Sequence, residues 1–398
     1  MQPVIHPLLS RPQQHPQFPA LLEQIHSIGK DVIAPHATVV DRDARFPHEA
    51  FAALKDAKLL SAYIPTELGG MGLSISDLSK ICETLALYCG STAMIFAMHQ
   101  IQVGCMVHHA LDDDFFRDYA RELVEKQYLI ASSTTELGIG GDVRSSICAV
   151  IVDGDRFTLD KQAPVISYGV AADAILVTCR KSADAGRNDQ SCVLVRKEDY
   201  TLEKLSEWDT LGFRGTCSNG FSLRSQGHKQ QIFPGAYADV HRITQQPFSH
   251  IVWSSLWLGI ATDAVNHARA SVRAEARKTP GTLPPSALRL AELDAVIFSM
   301  RAGVQQCVAE YHQRLSDTDP EAFSDYGFNL RISNLKIRSS ELIIEVVGKA
   351  MMICGISGYR NDSKSSLNRQ LRDAYGAALM VNNDRILGQS SAMQIMQR

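Results

Sequence analysis

The chain has 398 residues, 45% of them hydrophobic and 21% charged, enough for two or three domains with ordinary cores. A formal net charge of -3 excludes the large positive field that a nucleic-acid or anionic-lipid surface needs. No apolar run reaches the roughly 18 residues that span a bilayer. The nine cysteines are odd in number, which argues against a closed disulfide set, and include no C-x-x-C pair, which leaves zinc and redox-motif readings weak, so a reducing, cytoplasmic setting is expected.

The opening MQPVIHPLLSRPQQHPQ is rich in proline and glutamine, with no basic stretch followed by a long apolar one, and reads as a lead-in and not a signal peptide. In Leu21, Leu22, Ile25, Ile28, Val32 and Ile33 the apolar residues recur at helical spacing, and Pro35 is expected to close that helix. Ser74 with Asp77 has the form of a capping box ahead of Leu78, Ile81, Cys82 and Leu85. Residues 91–110 are apolar nearly all round, which predicts a buried helix, yet they carry His99, Gln100 and Gln102. Such polar groups pair internally or line a pocket.

Near Tyr128 the period changes. The runs YLIASSTT, ICAVIVD, RFTL, AILVTC, CVLVR and GFSL are short and rich in β-branched residues, and Asp153-Gly154 between two of them signals a hairpin. Helical periodicity returns over about 249–278, 285–316, 327–354 and 369–397, separated by Pro280-Gly281 with Pro284-Pro285, by Asp317 to Pro320, and by Gly355 to Gly358. The expectation is a mainly α protein with three domains. These are an N-terminal helical domain (1–125), a small antiparallel β domain (126–235) and a C-terminal four-helix bundle (236–398).

Four segments carry candidate chemistry. The hydroxyl run Ser132 to Thr135 leads through Glu136 into Gly138, Gly140 and Gly141, a loop able to turn backbone N–H groups toward an anionic or heteroaromatic ligand. It lacks the third glycine and following helix of a dinucleotide fingerprint. The others are Val165-Ile166-Ser167, Leu211 to Thr216, and Cys354 to Tyr359 (with Gly355) followed by Arg372-Asp373-Ala374. No residue set has metal-ligand spacing.

In this order, the segments resemble the acyl-CoA dehydrogenase family over nearly the whole chain. Thr135 to Asp142 is similar to its T-E-x-x-x-G-S-D loop, Val165 to Ser167 to its W-I-T/S, and Gly212 to Thr216 to its G-x-R-G/S-S/T. Arg277 to Gly281 partly matches R-x-x-F-G, and Gly355 to Tyr359 matches G-G-x-G-Y except at Ile356. The resemblance implies an FAD between the β domain and the bundle. Thr134 and Thr135 would meet its pyrimidine edge, Ser167 would stand by N5, and Gly141 and Gly355 would fall in its binding segments. Arg277 would reach the pyrophosphate of a neighbouring subunit, so a homodimer or homotetramer is implied.

Three departures qualify the resemblance. Gly141 stands for the serine of G-S-D, and Val165 for the flavin-shielding tryptophan. The family's catalytic glutamate, seven residues past the R-D-A alanine, is here Val381. The alternative slot at the start of the first bundle helix holds Ser249 or, one residue on, His250. Three groups could replace the missing base: His250, His99 and Asp384. The ordinary alternatives are a capping histidine, a satisfied core histidine and a surface acid beside Arg385. The implied activity is FAD-dependent α,β-oxidation of an acyl thioester, with the electron acceptor open. A flavin monooxygenase on the same fold, or a flavin-binding partner subunit without turnover, are the alternatives.

Overall fold

The computed structural model describes residues 12–278, 280–317 and 321–396; most of the proline-rich opening, Thr279 and residues 318–320 lie outside these. The first layer is helical: α1 (Phe18–Ile28), α2 (Ala34–Arg42), α3 (His48–Asp56), α4 (Ile75–Ala86), α5 (Gly90–His109) and α6 (Asp114–Lys126). The Ser74–Asp77 capping box opens α4, with each residue's side chain satisfying the other's backbone N–H. The buried α5 runs through the middle of this layer.

Pro35 does not close the first helix. A π-helical turn over Gly29–Ile33 carries the chain from α1 into α2, and Pro35 falls in the first turn of α2. A wider turn gives the ring room where its missing N–H would otherwise break the ladder.

The middle layer holds two sheets. The first has the order β1-β4-β5, from β1 (Ile130–Ser133), β4 (Ala174–Arg180) and β5 (Gln190–Arg196). The second has the order β2-β3-β7-β6, from β2 (Ile151–Asp153), β3 (Arg156–Ala163), β6 (Tyr200–Ser206) and β7 (Gly220–His228). All pairings are antiparallel except β1 with β4. The hairpin expected at Asp153-Gly154 forms, with Gly154 left-handed at φ 58°. Edge strand β6 was not among the predicted runs. Its residues after Leu202 are exposed, so it carries little hydrophobic alternation.

In β3 every second residue faces inward: Phe157, Leu159, Lys161 and Ala163. The Lys161 ammonium is satisfied by the carbonyls of Ser133 at 2.9 Å and Thr178 at 2.5 Å. It thereby pins the end of β1 to β4.

A short turn, α7 (Tyr237–Asp239), and a π-helical segment over Val240–Gln245 lead into α8 (Gln246–Ala276). Then come α9 (Ser286–Leu315), α10 (Tyr326–Cys354), the single turn α11 (Ile356–Tyr359), α12 (Asn368–Leu379) and α13 (Asn383–Met396). The α10 helix packs along α8, with α9 and α12 against it. The predicted fourth helix is thus two helices. The break is at Val381 and Asn382, which are left-handed at φ 56° and 46°. A β-branched residue there is strained.

Candidate functional site

The β1 strand ends at Ser133, and the chain continues through Thr134 and Thr135 into the glycine loop. Gly138, Gly140 and Gly141 all take positive φ, at 89°, 59° and 77°. Only glycine does this without strain, and successive N–H groups in such a loop can form an anion-binding concavity. Arg385 of α13 lies over the loop and forms an ion pair with Asp142. Arg144 approaches the same carboxylate at 3.8 Å. Two guanidinium groups therefore share one acid.

The Leu211–Thr216 segment is locked to the bundle. A Cβ on Gly212 would stand 2.3 Å from the Arg372 carbonyl, so no larger residue fits. The Phe213 N–H donates to Asp373 Oδ1 at 2.6 Å. Burial pushes the Asp373 carboxyl up to about 7, against that hydrogen bond and the nearby Arg369. Arg372 pairs with the buried Asp41 on α2.

Between these elements lies a cavity of about 650 Å³. The β domain contributes Ser132, Thr134, Thr135, Val165 and Ser167 to its wall; α5 contributes Met94, Met98 and Gln102; α8 contributes Ser249, His250 and Trp253. Val381 stands on the rim, 41% exposed, with Arg385 near it. Arg144, Arg372 and Arg385 line the cavity, and among the described residues no carboxylate does. Asp142 and Asp41 offset two of these three charges, which leaves one positive charge in excess at the wall.

The hydroxyl groups form a chain. Thr216 Oγ1 donates to the Phe213 carbonyl at 2.9 Å, and Ser218 Oγ meets Ser167 Oγ at 2.8 Å. Ser218 also meets Thr216 Oγ1 at 2.7 Å, so its single proton is shared between two acceptors and Ser167 joins this chain as donor or acceptor. Thr135 makes only a long contact of 3.5 Å with the Val165 carbonyl.

His250 lies in this wall with its Nδ1 at 3.1 Å from the Ile332 carbonyl of α10. That acceptor fixes the proton on Nδ1 and leaves the Nε2 lone pair as the basic position. Burial drives its pKa down to about 3, against the Ile332 hydrogen bond and with help from Lys336 and His241, so the imidazole is neutral.

The other two candidate bases lie elsewhere. His99 accepts the Ile130 N–H at Nδ1 (3.0 Å) and donates from Nε2 to the Leu60 carbonyl (2.8 Å). Both nitrogens are used in holding β1 on α5, and the ring is outside the cavity wall. Asp384 is exposed in the first turn of α13 and also outside it.

Thr134, Thr135, Ser167 and His250 are thus brought together, with Gly141 beside Arg385 at one end. Arg277, at the C-terminal end of α8, and Gly355, after α10, are exposed and outside this chain's own cavity.

Among the wall residues that the sequence analysis does not single out are His241 and Trp208. His241, on the π-helical segment, is a second imidazole that burial holds down at about 4. Trp208 adds an aromatic wall, its Nε1 donating to the Phe213 carbonyl at 3.1 Å. The only available signal for His241 was its place just before the first bundle helix; Trp208 gave none.

The residues fit a flavin. The hydroxyl residues Thr134, Thr135 and Ser167 line the cavity with Trp208 and Trp253, and the glycine loop with two arginines suits a phosphate.

Residues 16–127 match the family model for the acyl-CoA dehydrogenase N-terminal domain, and residues 247–387 that for the C-terminal domain. Over 369 residues the chain is 23% identical to cyclohex-1-ene-1-carbonyl-CoA dehydrogenase of Geobacter metallireducens, covering 92% of this chain and 94% of that protein. Butyryl-CoA dehydrogenase of Megasphaera elsdenii superimposes with a TM-score of 0.77 at 17% identity, covering 96% of this chain and 98% of that one. The FMN-bound form of TdsC, the dibenzothiophene monooxygenase of Paenibacillus sp. A11-2, gives a TM-score of 0.83 at 17% identity, covering 95% and 98%. The two matched domains take in most of the sequence on either side of the β layer, and the chain belongs to the acyl-CoA dehydrogenase family of flavin-dependent oxidoreductases.

Proposed function

We propose that this protein oxidises an acyl thioester to its α,β-unsaturated form, with His250 in place of the family's glutamate as the proton acceptor. The observation that carries the reading is His250 itself. Of the three candidate bases it alone lines the cavity, held through Nδ1 by a backbone carbonyl. When bound, FAD supplies the hydride acceptor. Thr134, Thr135 and Ser167 would hold its polar edge, and Arg385, Arg144 and the glycine loop its phosphate end.

The neutral imidazole takes the α-proton at Nε2. Its low proton affinity in the resting site rises when negative charge develops on the thioester beside it, because opposite charges favour each other in a buried site. The Val381 side chain can only pack against the acyl group.

The same reading takes in the assembly. Arg277 and Gly355 are exposed and outside their own cavity, which supports a homodimer or homotetramer in which they meet a neighbour's cofactor. The division at 1–125, 126–235 and 236–398 is part of the proposal, as is a cytoplasmic location. No helix among the described residues is long and apolar enough to cross a membrane.

The test is anaerobic mixing of the purified flavoprotein with a panel of acyl thioesters. Bleaching of the flavin absorbance is expected. The absence of a carboxylate from the cavity wall also suits a flavin monooxygenase, and no bleaching, with rapid oxygen uptake by the reduced protein, would establish that reading instead.

A further inference from the structure

We infer that Lys336 is a positioning residue of this site, coupling His250 to the Val381–Asn382 turn through its contacts on α10. The inference rests on the reading of His250 as proton acceptor, but its own test does not.

Lys336 is fully buried, yet among the described residues no carboxylate pairs with it. Its Nζ donates to Asn383 Oδ1 at 2.6 Å and lies 6.0 Å from the Trp257 ring centroid. A buried cation held by one amide and an aromatic face is costly, so it needs a use. Two neighbours supply one.

Asn383 is the first residue of α13, directly after the two left-handed residues. Its Nδ2 also donates to Ser340 Oγ on α10 at 3.0 Å. Lys336 and Ser340, one turn apart, thus grip the strained turn from beneath and hold Val381 and Arg385 at the cavity rim. One turn the other way on α10, Ile332 supplies the carbonyl that holds His250. The Lys336 charge opposes protonation of that imidazole, after burial and alongside His241; no acid is among the groups acting on His250. One helix face therefore sets the orientation of the acceptor, its charge and the wall opposite it. Lys336 touches no reacting atom.

The experiment follows His250 directly. In the full-length holoprotein, the C2 carbon of histidine is labelled with 13C, and the His250 signal is assigned by its loss in His250→Ala. On acidification the signal should begin to move about one pH unit higher in Lys336→Met than in the wild type, a tenfold gain in proton affinity. Lys336→Arg, which keeps the charge, should restore the wild-type onset. Amide exchange of Asn382 to Arg385 should quicken about tenfold or more in Lys336→Met and in Asn383→Leu, with the onset unmoved in Asn383→Leu. Lys336→Gln is the second variant should the methionine protein fail to fold. An unmoved onset together with wild-type exchange in the neutral variant overturns the inference. Full turnover by His250→Ala, measured alongside, overturns the assignment of the base and leaves the coupling standing.

Discussion

Phe213 donates its backbone N–H to the Asp373 carboxylate at 2.6 Å, across 160 residues of sequence. This bond ties the β layer to α12 at the floor of the cavity, and Gly212 beside it leaves no room for a side chain. Gly212→Ala should cost about 1–3 kcal/mol, because its Cβ meets backbone that cannot step aside. Asp373→Ala should cost about as much by leaving a buried N–H unpaired. Urea denaturation of each variant measures both. Wild-type midpoints would show that the contact contributes nothing.

His250 and His99 are predicted to separate chemistry from stability. His250→Ala should lower turnover by about 10²–10⁴-fold while flavin stays bound. His99→Ala should lower stability by about 2–4 kcal/mol, since it leaves the Ile130 N–H unpaired and a void on α5, with little effect on the rate of the protein that remains folded. Stopped-flow bleaching and thermal melts, run on both, should give this crossed pattern.

Val381 is strained, and the resemblance puts it in the slot of the family's glutamate. Val381→Gly should stabilise by up to about 1 kcal/mol, as glycine takes positive φ freely. Val381→Glu, placed in the His250→Ala background, should recover part of the lost turnover by returning a carboxylate to the rim. A double variant no faster than His250→Ala would mean the rim does not face the α-carbon.

Arg385 and Arg144 share Asp142 beside the glycine loop. Removing one cation leaves the loop with no net positive partner for a phosphate. Arg385→Gln should weaken flavin retention at least tenfold, and the remaining binding should lose most of its sensitivity to salt. Equilibrium dialysis across a salt series reads this. Arg277→Ala should weaken retention only in the assembled oligomer.

The buried histidines set the acid limb of stability. His99, His109 and His241 are held down at about 4 and His250 at about 3, each chiefly by burial. Below an unfolded value near 6.5 the unfolded chain binds protons that the folded chain refuses, so stability should fall as pH drops from 6.5 toward 4. Asp373, raised to about 7, acts in the opposite sense over the same window, as do Asp77 and Asp263, also raised by burial, so three acids stand against the four histidines. Lys336, lowered to about 8, adds stability as pH rises from about 8 toward its unfolded value. Urea midpoints from pH 4 to 9 should follow that shape. A flat profile below pH 6.5 would mean that these histidines are reached by water.

Local sequence determined the elements whose signals are local. The apolar period marked α1, α4, α5 and the long bundle helices, because a buried stripe must recur every turn. Ser74 and Asp77 announced the start of α4, since both halves of a capping box lie within one turn. The ordered motifs placed Thr134, Thr135 and Ser167 at one site. Tertiary structure decided the rest. The π-helical turn that carries the chain past Pro35, the poorly alternating edge strand β6, and the break at Val381 and Asn382 depend on neighbours far along the chain. So does the fate of each histidine. His99 and His250 look alike in sequence, as polar residues on apolar helices. Only packing gave both nitrogens of His99 to backbone and set His250, held through Nδ1, in the cavity wall, because a ring's hydrogen-bond partners come from whichever helix and strand fold against it.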